Sequence, residues 1–117
     1  MYFSSYFCMH VLINNVQWKL LLTDNTEDLK RSDGSITLGV TDLNMVTIYL
    51  WKGLKGSMLR RVLIHELSHA FIFSYEYYLT VEEEEFLCSF IDTYADSILS
   101  EADELNRKGF IEMKNFS

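Results

Sequence analysis

Apolar and polar positions alternate through Val16, Trp18, Leu20 and Leu22, with Gln17, Lys19 and Leu21 between them. A period of two is the pattern of a strand with one face on a core. Just upstream, Asn14-Asn15 interrupts a short apolar arm over 10–13. Two residues that tolerate left-handed backbone suit a tight turn, so the arm is expected to pair with 16–22. The segment 24–35, "DNTEDLKRSDGS", is polar and turn-rich, with at most a helical turn over Glu27–Arg31. "ITLGV" (36–40) and "MVTIYLW" (45–51) are β-branched and aromatic. They read as two further strands joined by a turn at 41–44. Gly39 inside the first of these implies a bulge or a close backbone approach.

After the loop "KGLKGS" (52–57) the period changes. Leu59, Val62, Leu63, Leu67, Ala70 and Phe71 recur at helical spacing from Met58 to about Tyr75, and Ile64, Ile72 and Phe73 add apolar surface elsewhere. A helix that is apolar nearly all round is central to its fold, and Ser57 is placed to cap it. "YEYYL" (75–79) connects it to a second helix. Thr80 and Glu83 form a capping-box pattern at the start of that helix, and its acidic first turn suits the positive end of the dipole. It reads through to about Asn106, with Gly109 beyond. The expected fold is α+β: a small antiparallel sheet of about three or four strands against two long helices, in one domain over 1–117.

Composition narrows the function classes. The chain has 117 residues, 49% hydrophobic and 15% aromatic, which fits one globular domain with its own core. A net charge of −7 disfavours nucleic acid and an anionic membrane surface as partners. No stretch approaches the ~20 apolar residues of a membrane span. The start lacks a basic n-region and a small-residue cleavage site, which fits a cytoplasmic protein. Met9 is a possible alternative start, with residues 1–8 a loose lead-in. Cys8 and Cys88 lack CxxC spacing and read as free thiols in a reducing compartment.

The chemistry sits in "VLIHELSHAF" (62–71). His65 and His69, four apart on a helix, present their imidazoles on one face about one turn apart, within reach of a single zinc ion. Glu66 stands beside the metal, where it can take a proton from an attacking water and pass it to a leaving amine. This is the HExxH arrangement of zinc peptidases. The plain alternative is a pair of hydrogen-bonded core histidines. A catalytic zinc needs a third protein ligand and an open position. His10, the remaining histidine, lies far upstream, and none follows His69, so HExxHxxGxxH is excluded. The third ligand is therefore sought in "EEEE" at 82–85. Glu82 and Glu83 have capping roles. From Glu85 the helical face carries Cys88, Ser89, Asp92 and Ala95, small or polar residues that permit close approach. From Glu84 it carries Leu87, Cys88 and Ile91. Phase favours Glu85 ahead of Glu84. Asp92 is a candidate partner for a histidine N–H, and Tyr75, Tyr77 and Tyr78 are candidate oxyanion donors. Strand 45–51, or whichever strand is the sheet edge beside the metal, is a candidate for pairing with an extended substrate.

"TIYL", "LIHELSHAF" and "EEFLCSFI" together resemble the ImmA/IrrE-type metallopeptidases, in particular small phage and mobile-element members. The likeness spans roughly 36–98, and its specific part is HExxH with the downstream glutamate; Glu85, Cys88 and Ile91 fit the spacing of that second motif. The resemblance implies a gluzincin-like fold, zinc held by His65, His69 and Glu85, Glu66 as acid/base, and a protein substrate in the cytoplasm, that of the host cell if the chain is phage-encoded. The chain carries no helix-turn-helix partner domain such as some members have. The SprT-like group shares HExxH but usually has a third histidine and a DNA-binding module, neither present here. The leading expectation is a zinc peptidase. The alternatives are a non-catalytic zinc-containing or protein-binding module of the same fold, and an amidase using the same metal water.

Overall fold

Asn14 and Asn15 take φ of 48° and 67°. Positive φ at both central residues matches the right-handed twist of paired strands. The turn folds β1 (Cys8–Ile13) antiparallel onto β2 (Val16–Thr23), with Val11 opposite Trp18. The computed structural model describes residues 8–115. The lead-in expected over 1–8 falls, apart from Cys8, outside these residues.

Beyond β2 the polar segment 24–38 is an organised crossover. The Asn25 side chain accepts from the Glu27 amide at 3.0 Å and caps a 3-10 turn over Thr26–Leu29, whose Leu29 is buried. The segment delivers the chain to β3 (Gly39–Asp42) at the far edge of the sheet. A hairpin then brings β4 (Thr47–Trp51) back between β3 and β2. The strand order is β1-β2-β4-β3. β1–β2 and β3–β4 are antiparallel, as expected, but β2 and β4 are parallel, with Leu20 opposite Ile48. The sheet is therefore mixed. The long crossover between β2 and the hairpin makes a parallel neighbour possible, as a tight turn cannot.

The β3–β4 turn lies at 43–46 and not at 41–44. Asp42 Oδ1 accepts from the amides of Asn44 and Met45, at 3.0 and 3.1 Å. An aspartate satisfying the next amides in this way starts the turn after itself, so Thr41 and Asp42 stay paired in β3, which correspondingly begins only at Gly39.

One face of the sheet packs on α1 (Gly56–Ser74), and the core forms there from Ile13, Trp18, Ile48, Leu50, Leu54 and Ala70. Trp18 Nε1 donates to Ser74 Oγ at 2.8 Å, and Asn14 Nδ2 to the Ser74 carbonyl at 2.9 Å. These two bonds fix the end of α1 to the first hairpin. The start of α1 differs from the sequence reading. Gly56, at φ 56°, turns the chain, Lys55 stands at the N-cap, and Ser57 is inside the first turn without a capping bond. By contrast, the capping box of α2 (Val81–Arg107) is present in both directions: Thr80 Oγ1 accepts from the Glu83 amide and Glu83 Oε1 from the Thr80 amide.

α2 packs on the other side of α1. Arg60 donates twice to Asp96, at 2.9 and 2.7 Å, and Arg61 Nε donates to Asp92 Oδ1 at 2.8 Å. Gly109, at φ 89°, separates α2 from a last short helix, α3 (Phe110–Asn115). The architecture is α+β, a four-stranded sheet with two long helices. No helix among the described residues is long and apolar enough to cross a membrane.

Candidate metal centre

His65 and His69 lie on the stretch of α1 that faces both β3 and α2. Their rings meet edge to face, with centroids 5.1 Å apart. Each ring is held by a carboxylate from α2. His65 Nδ1 is 2.7 Å from Asp92 Oδ2, and His69 Nδ1 is 2.5 Å from Glu84 Oε2. In the neutral tautomer that donates Nδ1–H to these carboxylates, each ring keeps a lone pair on Nε2. These point at one carboxylate, that of Glu85: His65 Nε2 lies 3.3 Å from Oε1 and His69 Nε2 3.1 Å from Oε2. The donor atoms of His65, His69 and Glu85 lie within 4.8 Å of one another, and the three could hold a metal ion.

The helical phase separates the adjacent glutamates. Glu85 faces the gap between the two Nε2 atoms, and Glu84 turns to the outer nitrogen of His69. Glu84, the second choice as ligand, is thus an orienting group, as is Asp92. Carboxylates that accept the distal N–H of metal-binding imidazoles fix ring orientation and raise ligand basicity. Asp92 is itself held by Arg61. Burial pushes the Asp92 carboxyl up, but its bonds from Arg61, His65 and Thr93 outweigh this and leave it below the usual range. It therefore stays ionised.

Glu66 is buried, at 6% exposure, and lies on the β3 side of the helix, outside the ligand set. The Thr41 hydroxyl lies 2.8 Å from Glu66 Oε1 and 3.0 Å from the Glu66 carbonyl oxygen, donating to this pair of acceptors. Burial raises the Glu66 carboxyl above its ordinary range. The Thr41 hydrogen bond, His69 and His65 oppose the rise, and the Glu85 charge adds to it. Gly39 explains how β3 comes so close. A Cβ there would stand 2.8 Å from Val62 Cγ1 and 3.0 Å from Glu66 Cγ. The strand glycine marks a close backbone approach.

A cleft of about 700 Å³ runs along β3 past His65, Glu66 and His69, with Val81, Glu84 and Glu85 on its α2 side and Arg31, Ser32 and Asn44 on its rim. The edge strand beside the site is β3. The strand over 47–51 is internal, paired with β2 on one side and β3 on the other. Tyr75, Tyr77 and Tyr78 do not line the cleft; Tyr75 stacks on Phe71, with centroids 6.0 Å apart. His10 is exposed in β1, separated from β3 by two strands. Thr41 and Arg61 were invisible as site residues in the sequence, because each acts across a long-range contact that no local spacing announces. Comparison with protein-family models, curated proteins and solved structures returns no match.

Proposed function

We propose that this chain is a zinc-dependent metallopeptidase that hydrolyses a peptide bond in an extended segment of a protein substrate. The observation that carries the reading is the convergence of His65 Nε2 and His69 Nε2 on Glu85, with buried Glu66 beside them and outside the ligand set. Two imidazoles and one carboxylate are a donor set that suits zinc and leaves a fourth position for water or substrate. Zinc held there supplies Lewis acidity and lowers the pKa of a water toward ~7. Glu66 takes a proton from the attacking water and returns it to the amine as the C–N bond breaks. A carboxyl raised by burial is better matched to that two-way transfer near neutral pH than an exposed one. Thr41 holds Oε1, which fixes the rotamer in which Glu66 faces the cleft. β3, which among the described residues pairs with β4 alone, offers its outer edge to an extended backbone lying along the cleft. The motif spacing, together with this arrangement, supports placing the chain beside the ImmA/IrrE-type metallopeptidases.

The test has two parts. Purified protein is expected to carry one zinc per chain by mass spectrometry of the metal, and to cleave members of a diverse peptide library. Glu66→Gln is expected to retain zinc and lose cleavage by about 10²–10⁴-fold. Cleavage that survives this change, or a chain that cannot take up zinc, overturns the reading.

A further inference from the structure

α2 is far more apolar on its surface than its packing uses. Of its residues Val81–Arg107, Cys88 is the one that is buried. Leu87, Phe90, Tyr94, Ile98 and Leu105 are 38%, 45%, 49%, 54% and 49% exposed. Their spacing of three, four, four and seven residues places them on one stripe, and half-buried Ile91 falls on it too. Phe90 joins Phe86 and Tyr94 in an aromatic ridge, with ring centroids 6.5 and 4.9 Å apart. The stripe is separate from the metal centre, because the α2 residues lining the clefts there are Val81, Glu84, Glu85 and Asp92. From Leu87 to Leu105 it runs about 27 Å along the helix. An apolar stripe of this length on a chain of net charge −7 is the signature of a contact surface.

Charge indicates what covers it. The first turn of α2 is acidic, with Glu82, Glu83 and Glu84, and the last turn carries Arg107, followed by Lys108. The stripe between is interrupted only by Glu101. At 100° per residue, Glu83 at one end and Lys108 at the other lie beside the stripe, so two copies of α2 laid antiparallel along it set Glu83 of each against Lys108 of the other. Their helix dipoles are then also opposed head to tail. Arg107 and Lys108 reach Glu104 of their own helix. Those pairs are solvent-exposed, and such pairs are weak enough to be exchanged for an intermolecular partner. A parallel pair sets acid against acid at one end and base against base at the other. A contact in which the same patch serves both subunits closes as a two-fold dimer.

We propose that the chain forms an antiparallel homodimer through the exposed stripe of α2, with the two metal centres outside the interface. Light scattering after size exclusion, on the full chain at tens of micromolar, is expected to give twice the 13.8 kDa chain mass. Ile98→Glu, at the middle of the stripe, is expected to raise the dimer dissociation constant by about 30-fold or more. Its circular dichroism and metal uptake should match those of the parent. Glu83→Lys and Lys108→Glu are each expected to weaken the dimer, and the two together to restore it. A monomeric parent, or a dimer indifferent to Ile98→Glu, overturns the interface. A double variant no stronger than either single one overturns the antiparallel arrangement.

Discussion

The Thr41 hydroxyl and the Glu66 carboxylate are 2.8 Å apart, so the edge strand holds the group that would move the proton. Thr41→Val keeps the β-branched shape and removes the donor. Metal content is expected to stay the same while kcat falls by about 10–150-fold, in line with the ~1.5–3 kcal/mol of a hydrogen bond to a charged group. Glu66→Gln should leave little for a second Thr41→Val change to remove. Measuring the double variant separates a positioning role from a fold defect, since a defect would also shift the melting temperature.

Glu84 and Asp92 orient imidazoles, and Glu85 is placed to bind. Competition with a chelator should rank the variants accordingly. Asp92→Ala and Glu84→Ala are expected to weaken metal binding by about 10–100-fold, and Glu85→Ala by more than either. Glu83→Ala should lose about 1 kcal/mol of stability with its half of the capping box and leave affinity unchanged. Equal metal affinities for Glu83→Ala and Glu85→Ala would refute the ligand assignment.

Gly39→Ala puts a methyl group 2.8 Å from Val62 Cγ1 and 3.0 Å from Glu66 Cγ. Both neighbours are packed between sheet and helix, so the cost is that of overfilling a core, about 1–3 kcal/mol. Glu66 must also shift. Chemical denaturation should show the loss of stability, and turnover should fall more than metal content does.

Cys88 is buried and its thiol is pushed up to about 12, first by desolvation and then by the carboxylates of Glu84, Glu85, Glu66 and Asp92. A raised thiol pKa favours the protonated, folded state. Its contribution is complete below the ordinary thiol value of 9.0 and is lost as pH climbs from there toward 12. Stability should therefore fall between pH 9 and 12, less steeply in Cys88→Ala. At pH 8 in native conditions iodoacetamide should label exposed Cys8 and spare Cys88.

The parts of this structure that could be read in the sequence are those set by short spacings. His65 and His69 are four residues apart on one helix, and helical phase favours Glu85 over Glu84, because a 100° step per residue turns adjacent side chains to different neighbours. Asn14-Asn15, the capping box and the close approach at Gly39 are also local. What stayed hidden depends on which strands become neighbours. The parallel β2–β4 pair, the identity of β3 as the edge and the bond from Thr41 to Glu66 all follow from the crossover over 24–38. Nothing in that segment's own composition says where it leads. Ser57 misled because a serine before an apolar helix is a common cap, whereas here Gly56 makes the turn one residue earlier.

Both imidazoles come from α1, and all three carboxylates that touch them come from α2. α1 supplies two of the three candidate ligands and α2 the third, so completing the site around a metal would be coupled to the docking of α2. A chelator drawing metal from this site would therefore compete with the tertiary structure. Loading with metal should slow amide exchange along the first turns of α2 as strongly as it protects the histidines.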